Sequence, residues 1–108
     1  MENVVESIAT ELLIDGLTDW VHADLPIGWA RETVGEDFKP IAVAVVEYVV
    51  LGGLMVAGDL GGTGFEAWPG TPADHVRTVV ERYEAYDWNP QGMAGWLANT
   101  EAGDARVG

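Results

Sequence analysis

Pro40 to Leu60, PIAVAVVEYVVLGGLMVAGDL, is the most apolar run in the chain, and any fold it adopts must bury that run. Its valines favour extended structure locally. A strand of this length buried on both faces, however, needs neighbours that the rest of the chain does not supply. The run therefore predicts a buried helix from Phe38 or Pro40 to Leu51, a glycine stop at Gly52 or Gly53, and a short strand from Leu54 to Ala57. Ile41, Val45, Tyr48 and Val49 share one face of that helix, with Ala42, Val46 and Val50 beside it. A membrane span is disfavoured, because the run is short, contains Glu47 and Gly52-Gly53, and lacks flanking basic anchors.

The remaining elements are expected to cover this core. Val5, Ile8, Ala9, Leu12, Gly16 and Trp20 recur at helical spacing and predict an amphipathic helix from Glu2 to about His22. Its opposite face carries Glu11, Asp15 and His22, with Asp19 at the boundary, so that an acidic stripe looks outward. Asp24-Leu25-Pro26 interrupts the helix, and Ile27 to Val34 can add two turns with Trp29 and Ala30 inward before Gly35 ends them. Gly58-Asp59 reads as a turn, and Gly61 to Gly70 as a loop with one hairpin-like strand around Phe65 to Trp68.

Thr71-Pro72-Ala73-Asp74 is a helix start, with threonine as cap, proline at the first position and an acid three residues after the cap. Val76, Val79, Val80 and Tyr83 mark the buried face of that helix to about Tyr86, and Arg77 can pair with Glu81 on its solvent side. After a loop, Met93 to Leu97 predicts a strand. Asn99-Thr100-Glu101 then opens a short helix whose tail, residues 103–108, is expected to fray. The expectation is one α+β domain over all 108 residues, mostly helical, with about five helices and a small antiparallel hairpin.

The charge narrows the function classes. With 18 acidic against 5 basic side chains, the formal net charge is −13. The basic residues Arg31, Lys39, Arg77, Arg82 and Arg106 are scattered, whereas nucleic acid and anionic membranes call for a concentrated basic stripe. A basic protein partner is favoured electrostatically. The absence of cysteine excludes disulfides, zinc–thiolate sites and thiol chemistry. The start MENVVESIATELL carries acids where a secretion signal carries basic residues, so a cytoplasmic location is expected.

Two stretches resemble winged helix-turn-helix domains. VVEYVVLGGLMVAGD is similar to the end of that family's third helix and its entry into the wing, and AGWLANTEAGDARV to the wing's return strand and a threonine-capped helix. The resemblance covers about half the chain and implies a winged-helix-like fold, but with an extra helix between the two strands. It also implies DNA reading by the third helix and wing. Here those elements offer Lys39, Glu47, Asp59 and Glu66, a poor set for phosphate.

Three further motifs each have a structural explanation. GDLGGTGF, Gly58 to Phe65, resembles the phosphate loop of the sugar-kinase and actin-like ATPase superfamily, in which backbone N–H groups approach phosphate and an aspartate serves magnesium. That superfamily needs two lobes and usually a basic residue after the threonine, where this chain has Gly64, so a flexible turn is the preferred reading. Asp15, Asp19 and His22 have helical spacing, but Asp15 and His22 stand too far apart to share one ion, and a solvated acidic face is preferred to a metal site. His75 beside Asp74 reads as a surface residue.

The leading expectation is a non-enzymatic protein-binding module of the inhibitor, immunity or DNA-charge-mimic type, engaging a basic partner. Glu11, Asp15 and Asp19 are its expected contacts, with Trp68 and Trp88 as exposed anchors. The alternative is a winged-helix transcription regulator that binds DNA as a homodimer, and third comes a small enzyme using GDLGGTGF for phosphate. No catalytic, cofactor or metal residue is assigned.

Overall fold

Helix α3 (Phe38–Leu51) is the element around which the others pack, with α1 (Glu2–Asp15), α2 (Leu25–Val34) and α4 (Pro72–Ala85) against its sides. The computed structural model describes residues 2–108, and side chains from Val4 onward. A 3-10 turn, Gly35–Asp37, joins α2 to α3, and a seven-residue helix α5 (Glu101–Val107) ends the chain. The strands β1 (Val21–His22), β2 (Met55–Gly61), β3 (Gly64–Ala67) and β4 (Trp96–Asn99) form one antiparallel sheet in the order β1-β4-β2-β3. The architecture is α+β and mostly helical. No helix among the described residues is long and apolar enough to cross a membrane.

The apolar run forms the buried helix and the following strand that its composition predicts, though the strand extends further. Phe38, Ala42, Val45, Val46, Val49 and Val50 of α3 are buried, as are Leu54, Met55 and Ala57 beyond the glycines. Gly53 takes a positive φ of 75° after the helix, a conformation that glycine adopts without a Cβ penalty. Ile8, Leu12 and Leu13 of α1, Ile27 and Ala30 of α2, and Val76, Val79 and Tyr83 of α4 close the same core.

Helix α1 ends at Asp15, not at His22. Gly16 still donates its N–H to the Leu12 carbonyl, but a Cβ at Gly16 would collide with the Asn99 side chain. Beyond it, Val21 and His22 pair with Leu97 and Trp96 of β4. Val21 is thereby buried in the core, a gain that continued helix could not offer. Helical spacing on the N-terminal side therefore overstates the helix by about two turns.

Strand β2 also runs past the Gly58-Asp59 turn expected from sequence. Gly58 pairs with Ala67 of β3 and Trp96 of β4 at once, and a Cβ there would strike the Glu66 backbone. The reversal instead falls at Gly62-Thr63, so most of GDLGGTGF is hairpin strand and not open loop. Strand β4 starts at Trp96, later than Met93, because Gly92 and Gly95 hold positive φ values of 88° and 105° and keep Met93 in an exposed turn.

Helix α2 begins at Leu25, since Pro26 in the first turn lacks only an N–H that would have no helical partner. The Thr71 cap is present in full: Asp74 N–H donates to Thr71 Oγ1 at 3.2 Å and Thr71 N–H to Asp74 Oδ2 at 2.9 Å. Arg77 pairs with Asp74 at 2.8 Å, in place of the expected Glu81. His75 is buried, not exposed, and its Nε2 donates to the Trp68 carbonyl at 2.8 Å. The end of the chain, expected to fray from residue 103, is helical through Val107, which packs against the core.

Candidate functional site

Every basic side chain of the chain is engaged internally. Arg31 lies 4.2 Å from the Phe38 ring centre and donates to the Trp88 carbonyl at 3.2 Å. Lys39 sits 5.4 Å from the Trp88 ring, and Arg82 lies 4.6 Å from the Trp68 ring with Asp59 at 3.5 Å. Arg106 stands over Tyr48 at 5.7 Å and donates to its hydroxyl, and Arg77 pairs with Asp74. Cations so placed over aromatic faces are held in position by the ring quadrupole. Among the described carboxylates only Asp59 and Asp74 take part in an ion pair, and apart from Asp24, whose Oδ1 is buried and whose Oδ2 accepts the Gly92 N–H at 2.7 Å, most of the others are exposed and unneutralised.

The residues expected to bind a partner separate into three places. Glu11 and Asp15 are exposed on α1, as a solvent-facing stripe requires. Asp19 is exposed as well, but in the loop after α1, where its Oδ1 accepts the Trp20 backbone N–H at 2.8 Å. His22 has left the stripe altogether and stacks on Trp96 with ring centres 3.9 Å apart. Trp68 and Trp88 are half-buried and pack against the core. Trp68 donates its indole N–H to Asp59 Oδ2 at 2.7 Å, and Trp88 lies between Phe38 and Tyr83, at 6.0 and 5.4 Å. Neither is a free anchor.

The exposed tryptophan is Trp20, at 41% relative exposure, which helical spacing assigns to the core. It belongs to a sheet face that the sequence does not reveal. Alternate residues of a strand point to opposite sides. Val21, Leu97, Ala57 and Met55 form the buried row against the helices. Their neighbours His22, Trp96, Ala98, Val56, Leu60 and Phe65 therefore form the outer face, and Trp20 closes over it by stacking on Phe65 at 6.3 Å. Leu60 on this face is 42% exposed. The signal available in the sequence was Gly16 followed by Leu-Thr-Asp, a breaker cluster that ends the helix before Trp20.

Beside Trp20 the face opens into a groove of about 420 Å³ lined by Leu17, Asp19, Ala98, Asn99 and Asp104. Asn99 Nδ2 donates to the Leu13 carbonyl at 2.9 Å and to Asp104 Oδ1 at 3.0 Å, while its buried Oδ1 has no hydrogen-bond partner. Asp19 and Asp104 are thus each fixed through one carboxylate oxygen. The GDLGGTGF hairpin contributes Leu60 and Phe65 to the apolar face, and its Asp59 is taken by Trp68 and Arg82. Among the described residues no three His, Asp or Glu side chains gather as metal ligands would. Comparison with protein-family models, with curated proteins and with solved structures finds no match.

Proposed function

We propose that this chain is a non-enzymatic, acidic protein-binding module on a winged-helix-like scaffold, and that its partner is a basic protein. The observation that carries the reading is the asymmetry of its charges: all five cations are engaged inside the molecule while nearly all carboxylates face outward. A surface of one sign accelerates encounter with the opposite sign and repels nucleic acid. Inhibition or neutralisation of a protein that itself binds nucleic acid, by presenting acids in place of phosphates, is the role that such a surface suits.

Support for the scaffold comes from three helices leading through Gly52-Gly53 into β2, and from β4 returning beside β2 before the Thr100-capped α5. Helix α4 lies between those strands as an addition to the simplest winged helix. A cytoplasmic location is part of the proposal.

The test is capture of basic proteins on the immobilised chain at low salt, compared with a Glu11→Lys, Asp15→Lys, Asp19→Lys triple variant. Salt-eluted basic proteins that the variant no longer retains are the expected result. Equal retention by both, or retention indifferent to salt, would sink the reading.

A further inference from the structure

We propose that the outer sheet face, with the groove beside Trp20, is where the basic partner docks, and that it takes a segment in which one arginine or lysine is flanked by apolar side chains. The inference rests on the protein-binding reading above and specifies its contact surface. Of the contacts expected from sequence, Glu11, Asp15, Asp19, Trp68 and Trp88, it keeps only Asp19.

Three properties of the face lead to this occupant. First, apart from the exposed His22 stacked on Trp96, it is apolar and aromatic where a solvated sheet face is ordinarily polar: Val56, Leu60, Phe65, Trp20, Trp96 and Ala98 share it, with Trp20 and Leu60 each more than two-fifths exposed. Such a row accepts apolar side chains, and a half-exposed tryptophan is the residue type most often found to dominate binding.

Second, a recess adjoining the face carries two carboxylates. Asp19 and Asp104 line the same groove as the Trp20 indole, and neither is in an ion pair. A cation entering the groove meets two carboxylates already held in place and an indole, which together favour a guanidinium or ammonium over a neutral group.

Third, the charge pattern argues against the nearest alternative, a second copy. Each chain carries a net charge of −13, and carboxylates border the groove end of this face, so that stacking two identical faces would bring like charges together. A basic segment gains from the same carboxylates.

The probe is a capped pentapeptide, Val-Leu-Arg-Leu-Val, titrated into the isotope-labelled full chain, with a citrulline version as the neutral control. Expected are saturable NMR shifts at the Trp20 indole N–H and at the Phe65, Ala98 and Asp104 amides, with the citrulline peptide and the Trp20→Ala and Asp104→Asn variants each binding about tenfold weaker. Leu60→Ser, a change at an exposed side chain outside the core, weakens binding too and guards against misfolding of Trp20→Ala. Shifts confined to Glu11 and Asp15 would overturn the docking surface while leaving the basic-partner reading intact. Equal binding of the citrulline peptide would overturn the assigned cation. A dimer of the free chain in sedimentation, dispersed by Leu60→Ser, would overturn the occupant. Absence of salt-sensitive binding to the peptide and to every basic protein alike would remove both proposals.

Discussion

Tyr83 on α4 donates its hydroxyl to the carbonyl oxygen of Ala23, 60 residues earlier in the chain, at the junction between β1 and α2. Both residues are fully buried. The bond holds α4 to the first half of the molecule at a point where no water is available to replace it. Burial, and secondarily the nearby Asp24 carboxylate, push the Tyr83 phenol above its ordinary value of about 10.

Removing that hydroxyl with Tyr83→Phe leaves the Ala23 carbonyl without its partner and is expected to cost about 1–3 kcal/mol in urea unfolding. The folded chain keeps a phenolic proton that the unfolded chain releases. The wild-type contribution is therefore complete below about pH 10 and declines as pH rises above it. Urea midpoints measured from about pH 8 to about pH 11 should fall for wild type, with the fall reduced in Tyr83→Phe. An unchanged alkaline slope would refute the assignment.

Two helical glycines should respond in opposite senses to alanine. Gly28 lies within α2 with open space where a Cβ would stand, so Gly28→Ala is expected to stabilise by about 0.5–1 kcal/mol. Gly103 lies in α5 against the Leu54 backbone, which cannot swing aside, and Gly103→Ala is expected to destabilise by about 1–3 kcal/mol. Thermal unfolding of the pair decides this, and the same sign for both would be wrong.

Thr71 is expected to control the Asp74 carboxyl. The Thr71 backbone N–H and hydroxyl, and then the charges of Arg77 and His75, hold that carboxyl below the usual aspartate value. Its contribution is present above the unfolded value of about 3.9 and is lost as pH falls through the lowered folded one. Thr71→Ala should cost about 1 kcal/mol and move the Asp74 titration part of the way up in carboxyl-carbon NMR. A titration that stays in place would show that the cap does not set it.

Self-repulsion among unpaired carboxylates should make stability depend on salt. Raising sodium chloride from about 10 mM to about 200 mM shortens the screening length and is expected to stabilise by about 1 kcal/mol, a rise in Tm of roughly 4–8 °C. A lowered Tm would mean that attractive pairs outweigh the repulsion, contrary to the two ion pairs found among the described residues.

What could be read in the sequence was local. The Thr71 and Thr100 caps each act on an N–H three residues on, and the burial of Val45, Val46 and Val49 follows from an apolar run too long to expose. Those interactions lie within a turn or two of chain, so residue type and spacing determine them. The acidic character of the surface was equally plain from composition. Where α1 stops, by contrast, depends on β4, which arrives about seventy-five residues later to pair with Val21 and His22. That pairing turns Trp20 from an apparent core residue into part of the exposed outer face, and the α4 and β2 contacts turn Trp68 from an apparent anchor into a partner of Asp59 and Arg82. Sequence alone thus determined the buried helix, the caps and the sign of the surface. Only tertiary structure decided which aromatics face solvent and where every cation is held, because a side chain's exposure is set by distant segments that pack against it.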